Sequence, residues 1–212
     1  CLVEVEGERG LVAACSHAAG DGMVVRTATE EIVEHRRVLL ELLLSDHPHD
    51  CLLCDQAGRC SLQHWAYELG VRTSPYDAPA PPSEPERQGP AIVYDRSKCI
   101  LCGRCKLVCH EMQQTGAIDF QNRGLAARVG LPEGLPREQS VCVECGNCLD
   151  ACPTGALMPA DAVGQGRAWD MRQTPTTCPY CGCGCTLVLN VRDNRVVKVT
   201  ADVSRGLPGG ML

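Results

Sequence analysis

The 212-residue sequence predicts an α+β, multi-domain protein whose small modules are held together by bound metal rather than by large apolar cores. Three observations predict this. Seventeen residues are cysteine and most stand in tight groups, while aromatic residues make up only 3% of the chain. A proline-dense stretch over residues 74–90 separates patterned segments on either side. The segments themselves are one amphipathic helical stretch and several short alternating strands, with no continuous apolar core element.

The strongest signal is a pair of matching cysteine runs. Cys99, Cys102, Cys105 and Cys109 form C-x2-C-x2-C-x3-C, and Cys142, Cys145, Cys148 and Cys152 repeat that spacing and end in Pro153. This is the bacterial ferredoxin spacing for two 4Fe-4S clusters, in which the fourth cysteine of each run reaches across to the other cluster. A loop with two-residue gaps wraps three thiolates around one face of a cubane, and the fourth iron is reached from elsewhere. The expected sets are therefore Cys99, Cys102, Cys105 and Cys152 for one cluster, and Cys142, Cys145, Cys148 and Cys109 for the other. Structural zinc takes paired C-x2-C knuckles with four ligands per ion, which fits these runs poorly. A secreted disulfide framework also fits poorly, because seventeen is odd, the groups have metal spacing, and no signal peptide precedes them.

Composition narrows the function classes. No apolar run approaches the roughly 18 residues of a membrane span. The formal charge of -6, with no basic tract and no interleaved aromatics, argues against nucleic acid as a partner. The chain starts at Cys1 without methionine and reads as a fragment.

In chain order, residues 1–29 hold Cys1 and Cys15 on either side of a β-like segment, where Val3 and Val5 alternate with Glu4 and Glu6. These two cysteines resemble the third and fourth ligands of the 2Fe-2S domain found in the large electron-transfer subunits of respiratory complex I, iron-only hydrogenases and NAD-dependent formate dehydrogenases. The resemblance makes residues 1–29 the C-terminal part of a plant-type ferredoxin domain, with an incomplete 2Fe-2S site.

Residues 30–74 begin with a predicted helix over 30–44. Ile32, Val33, Leu39, Leu40, Leu43 and Leu44 recur at near-helical spacing, Thr29 suits the N-cap, and Glu30 and Glu31 suit the first turn. His47, Cys51, Cys54 and Cys60 follow with the spacing H-x3-C-x2-C-x5-C, which resembles the His-plus-three-Cys 4Fe-4S site of the same large subunits. A neutral imidazole in place of a thiolate makes such a cluster less negative and raises its potential. His49, two positions before Cys51, is read as a solvated loop residue. The next segment, SLQHWAYELG, is a predicted short helix in which Trp65, Tyr67 and Leu69 are packing residues.

Residues 75–90 are expected to be an extended, semi-rigid linker. Residues 91–160 form the two-cluster ferredoxin domain, opening with a strand at 91–95 and containing an elaborated connection between the runs. Lys106 and His110 are read as surface residues. Residues 161–177 are a second linker. Residues 178–212 place Cys178, Cys181 and Cys185 at C-x2-C-x3-C, ahead of a hairpin with strands at 186–191 and 196–200 and a turn at Asp193 and Asn194. CPYCGCGC resembles the start of the N-terminal 4Fe-4S subdomain of molybdopterin oxidoreductases. The resemblance implies a fourth ligand at or past Leu212 and makes Cys183 a non-ligand thiol.

The ordered series of motifs resembles the N-terminal iron-sulfur arm of the catalytic subunit of a NAD-dependent molybdenum or tungsten formate dehydrogenase. Eight ferredoxin cysteines rather than four, followed by CPYCGCGC, favour that family over complex I and the hydrogenases. The resemblance implies a cytoplasmic oxidoreductase with a molybdenum or tungsten bis-molybdopterin guanine dinucleotide in the full-length subunit. It further implies formate as substrate there, and flavin- and NAD-binding diaphorase-type partners. The segment present conducts electrons and holds no catalytic residue. The alternatives are an electron-transfer subunit of a NAD-reducing hydrogenase or a complex I-type NADH dehydrogenase, and a zinc-binding scaffold.

Overall fold

The computed structural model describes residues 2–79, 81, 84–132 and 139–201. These residues form two compact units, one from residues 1–45 and 65–78 and the other from residues 46–64 and 79–212. The 30–74 segment therefore contributes to both.

In the first unit, β1 (Leu2–Val5), β2 (Leu11–Ala13) and β3 (Val25–Arg26) make an antiparallel sheet in the order β2-β1-β3. Alternation along β1 buries Val3 and Val5, while Glu4 faces the other way and meets Arg26 at 2.9 Å. Helix α1 (Glu30–Leu44) packs on β1, with Ile32, Leu40 and Leu44 buried. Thr29 occupies the N-cap position in extended conformation, but its hydroxyl caps nothing and is buried without a partner. Helix α2 (Ser61–Glu68), which is divided between the two units after His64, buries Leu62 and Ala66. Trp65 and Tyr67 are 51% and 71% exposed, which corrects their expected packing role. Two bulky rings spaced two apart fall on different sides of a helix from the Leu62 and Ala66 stripe.

The second unit contains the ferredoxin runs. Strands β4 (Glu86–Arg87), β5 (Ile92–Tyr94) and β8 (Leu157–Pro159) pair antiparallel, so the start and end of the module are hydrogen-bonded together, with Val93 opposite Met158. Strand β4 lies inside the proline-rich stretch, so that stretch is not wholly a free linker. Glu86 is tied to Arg128 at 2.9 Å. Between β5 and β8 lie α3 (Arg104–Leu107), a π turn (Val108–Met112), the hairpin of β6 (Asp119–Gln121) and β7 (Arg128–Gly130), and α4 (Asn147–Ala151). Their core contains Ile92, Tyr94, Ile118, Val129 and Leu157, and three cysteines, Cys105, Cys109 and Cys148, sit among them.

The last sheet has the order β11-β10-β9, from β9 (Arg172–Thr177), β10 (Thr186–Arg192) and β11 (Arg195–Ala201). Asp193 and Asn194 turn the hairpin with φ of 49° and 61°, the left-handed pair that a two-residue primed turn requires. Strand β9 corrects the expectation of a linker over 161–177. Its RQTPTT has no apolar alternation, and all six residues are exposed.

Candidate metal centres

The two ferredoxin runs have one backbone design. Leu101 and Glu144, each just before the second cysteine of its run, both have φ of 53°, and Gly103 and Gly146 just after it have φ of 72° and 81°. A left-handed non-glycine residue costs about 1–2 kcal/mol. Its repetition in both runs is what curls three thiols to one side. Helices α3 and α4 then start at those glycines and carry the third cysteines, Cys105 and Cys148, into the core.

Cys99, Cys102, Cys105 and Cys152 line one small pocket, walled by Tyr94, Val129 and Leu157. The crosswise fourth member, Cys152, thus reaches the first run. Burial pushes the Cys105 thiol up to about 12, helped by its neighbours Cys99 and Cys152. Cys148 is likewise pushed up to about 12, first by burial and then by Cys105, Cys145, Cys142 and Cys109. Thiols packed this closely repel one another once ionised, and cationic iron is the counter-charge that relieves them. Thr115 Oγ1 lies 3.3 Å from Cys109 Sγ, and the Cys152 thiol donates to the Thr154 carbonyl at 3.3 Å.

His47, Cys51, Cys54 and Cys60 all fall in the second unit. The Gln63 amide, in the first turn of α2, points at Cys60 Sγ at 3.5 Å. Burial raises the Cys54 and Cys60 thiols, and each also feels Cys51. His47 is held below its ordinary value by burial. Its Nδ1 lies 2.9 Å from the Pro48 carbonyl, which fixes the tautomer with the proton on Nδ1. Its Nε2 is buried and has no hydrogen-bond partner. A lone pair left bare in this way is what an imidazole offers a metal when its other nitrogen is engaged. His49 is exposed.

This loop is fastened to the rest of its unit. Ser61 N donates to the Pro153 carbonyl at 2.8 Å, and the Asp55 carboxylate accepts from Gly164 N at 2.7 Å and Gly166 N at 3.2 Å. Arg59 donates to Asn190 Oδ1 on β10, a side chain that is wholly buried. Cys spacing carries no signal for these contacts, since each joins residues about a hundred positions apart or more.

Cys178 and Cys185 are bridged by a backbone bond of 2.8 Å from Cys178 N to the Cys185 carbonyl. Cys181 and Cys183 are exposed, and hydrogen bonds from the Cys183 amide and thiol hold the Cys181 thiol below its usual value. Cys15 is exposed, and Cys1 and the expected fourth ligand at or past Leu212 lie outside the described residues. Among the described residues, no three His, Cys, Asp or Glu side chains converge tightly enough for a single metal ion. No helix among them is long and apolar enough to cross a membrane.

Three family profiles match the chain. They are the NADH-ubiquinone oxidoreductase-G iron-sulfur binding region at residues 36–75, the NADH-quinone oxidoreductase subunit 3 ferredoxin-like domain at 89–158, and the molybdopterin oxidoreductase Fe4S4 domain at 171–212. The chain thus carries iron-sulfur binding regions similar to those of G-type subunits of NADH-quinone oxidoreductases and of molybdopterin oxidoreductases. Among similar proteins, the second G-type subunit of NADH-quinone oxidoreductase from Rhizobium meliloti is 38% identical over 98% of the chain and 24% of its own length. The NADPH-Fe(3+) oxidoreductase alpha subunit of Geobacter sulfurreducens is 38% identical over 96% of the chain and 24% of its own length. An NADP-reducing hydrogenase subunit of Solidesulfovibrio fructosivorans is 42% identical over 74% of the chain and 27% of its own length. The chain thus spans about a quarter of these relatives. A crystal structure of NAD+-reducing [NiFe]-hydrogenase in the H2-reduced state superimposes with TM-score 0.67 at 29% identity, covering 76% of the chain and 68% of that structure. These matches establish 4Fe-4S cluster-binding domains of an oxidoreductase family. They do not single out formate dehydrogenase. The inference from eight ferredoxin cysteines away from complex I loses its force, because an NADH-quinone oxidoreductase relative aligns over nearly the whole chain.

Proposed function

We propose that this chain is the electron-transfer arm of an NAD(P)-linked oxidoreductase or hydrogenase complex, carrying electrons between a flavin-bearing partner and a second redox site. The observation that supports it best is that Cys99, Cys102, Cys105 and Cys152, from two distant runs, line one apolar pocket. Cys142, Cys145, Cys148 and Cys109 are the matching second set. His47 Nε2, Cys51, Cys54 and Cys60 form a third, and Cys178, Cys181 and Cys185 contribute to a fourth. Cys1 and Cys15 belong to a 2Fe-2S site completed by other residues. Each cluster, when bound, supplies one-electron carriage. The chain's own part is to position the thiols, exclude water around Cys105 and Cys148, and fix His47 in one tautomer through Pro48. A cytoplasmic location accords with this reading.

The test is reduction of the iron- and sulfide-loaded chain by NADH or NADPH, with and without a flavoprotein of the diaphorase type. Bleaching of cluster absorbance only when the flavoprotein is present supports the proposal, and a loaded chain that stays oxidised under a fully reduced flavoprotein counts against it. A second reading, the arm of a molybdenum- or tungsten-pterin formate dehydrogenase, is favoured by the molybdopterin oxidoreductase Fe4S4 match over 171–212. Gene sequence past Leu212 separates the two. A cysteine soon after it and a pterin-binding domain with formate oxidation by the whole subunit support the formate reading, and their absence removes it.

A further inference from the structure

Beside Cys54 lies a charge pair that belongs to no ligand set. Asp95 is 6% exposed, and its Oδ1 accepts from Ser97 N at 3.0 Å and Ser97 Oγ at 2.6 Å. That leaves Oδ2 for the Lys98 ammonium at 3.2 Å. Lys98 is anchored at its backbone too, because its carbonyl accepts from Thr154 Oγ1 at 2.7 Å. Its side chain then runs past Gly155. A Cβ placed on Gly155 would lie 3.2 Å from Cys54 Sγ and 3.5 Å from Lys98 Cδ, so thiol and lysine stem crowd the same point. Cys54, Asp95, Lys98 and Gly155 line one cavity.

We propose that Lys98 and Asp95 form a fixed charge pair that tunes the redox potential of the site held by His47, Cys51, Cys54 and Cys60, with the Lys98 ammonium favouring its reduced state. The proposal rests on the ligand reading above. Reduction adds one negative charge to that site. A cation held beside a ligand sulfur in a half-buried setting stabilises the added charge, because screening there is weaker than in water. Asp95, ion-paired to the ammonium at 3.2 Å, partly offsets the cation. Cys99 in the first ferredoxin run is served differently, since the cation acting on it is Arg96, whose Nη1 donates to the Cys99 carbonyl at 3.2 Å. A side chain at Gly155 would press on Cys54 Sγ at 3.2 Å and Gln56 Cβ at 3.3 Å, while Lys98 Cδ at 3.5 Å stays in ordinary contact.

The experiment is an EPR-monitored redox titration of the full chain, loaded anaerobically with iron and sulfide. Lys98→Met is expected to raise the oxidised-to-reduced ratio of the His47 site about tenfold at the unmodified chain's midpoint, a downward shift of about 59 mV for a one-electron couple. Asp95→Asn keeps the Oδ1 acceptor for Ser97 but removes the offsetting charge, so it shifts the same site upward. Lys98→Arg restores the original midpoint, and the Cys142 site stays fixed in all variants. A purely structural pair predicts shifts of one sign or none in the Met and Asn variants, and that outcome overturns the proposal. If the Met variant fails to load, the sign of the Asp95→Asn shift decides alone. An unmodified chain with no His47-site signal overturns instead the ligand reading beneath.

Discussion

The ferredoxin runs and the Cys178 run are both short cysteine loops, but the structure treats them differently. Cys105, Cys109 and Cys148 are 9%, 8% and 6% exposed and pack among Ile92, Tyr94 and Val129. Cys181 and Cys183 are exposed, and the neighbouring Tyr180 is 93% exposed. In the first case the thiols stand in for core side chains, so on the proposed ligand reading cluster binding would be coupled to folding of the module. In the second, the loop stands on a sheet with its own ladder and its own buried polar hub at Asn190. Support for that loop does not depend on a bound metal.

Substitutions test this contrast, the largest effect first. Cys148→Ala removes a proposed ligand and opens a cavity in the core. It is expected to abolish one 4Fe-4S signal and cost more than ~3 kcal/mol in anaerobic thermal unfolding of the loaded chain. An unfolding midpoint close to the original would show that the thiols are not core elements. Asn190→Ala strands Arg59 and breaks bonds to the Val188 and Lys198 carbonyls and to Thr200 Oγ1. The expected cost is about 2–3 kcal/mol, with the ferredoxin signals retained. Cys181→Ser is expected to change no unfolding midpoint and to affect only the Cys178 site, read by EPR in the longest chain that completes that site. Cys183→Ser in the same chain should leave the spectrum unchanged. A lost signal there would make Cys183 the ligand in place of a neighbour.

Much of this was legible in the sequence where one local rule decided the outcome. The period of Ile32, Leu40 and Leu44 gave helix 30–44, Asp193 and Asn194 gave the hairpin turn, and the repeated cysteine spacing gave two loops of one backbone design. What was not legible depended on partners far along the chain. Strand β9 is an exposed edge strand of Arg, Gln, Thr and Pro that exists because β10 offers it a ladder. Strand β4 hides in the proline-rich stretch for the same reason. Thr29 matches an N-cap by type, yet its hydroxyl is buried away from the helix amides. The role of Lys98 was invisible because its meaning comes from Cys54 and Gly155, neither of which neighbours it in sequence.

The most direct test of the central claim is anaerobic metal and acid-labile sulfide analysis of the full chain after loading. Three complete four-ligand sets predict iron and sulfide in equal amounts, sufficient for at least three 4Fe-4S clusters, with zinc absent. Replacing His47 by Ala should lower both together by one cluster while sparing the ferredoxin pair. Several equivalents of bound zinc with no sulfide, in a chain that is folded and resists further loading, would contradict the account.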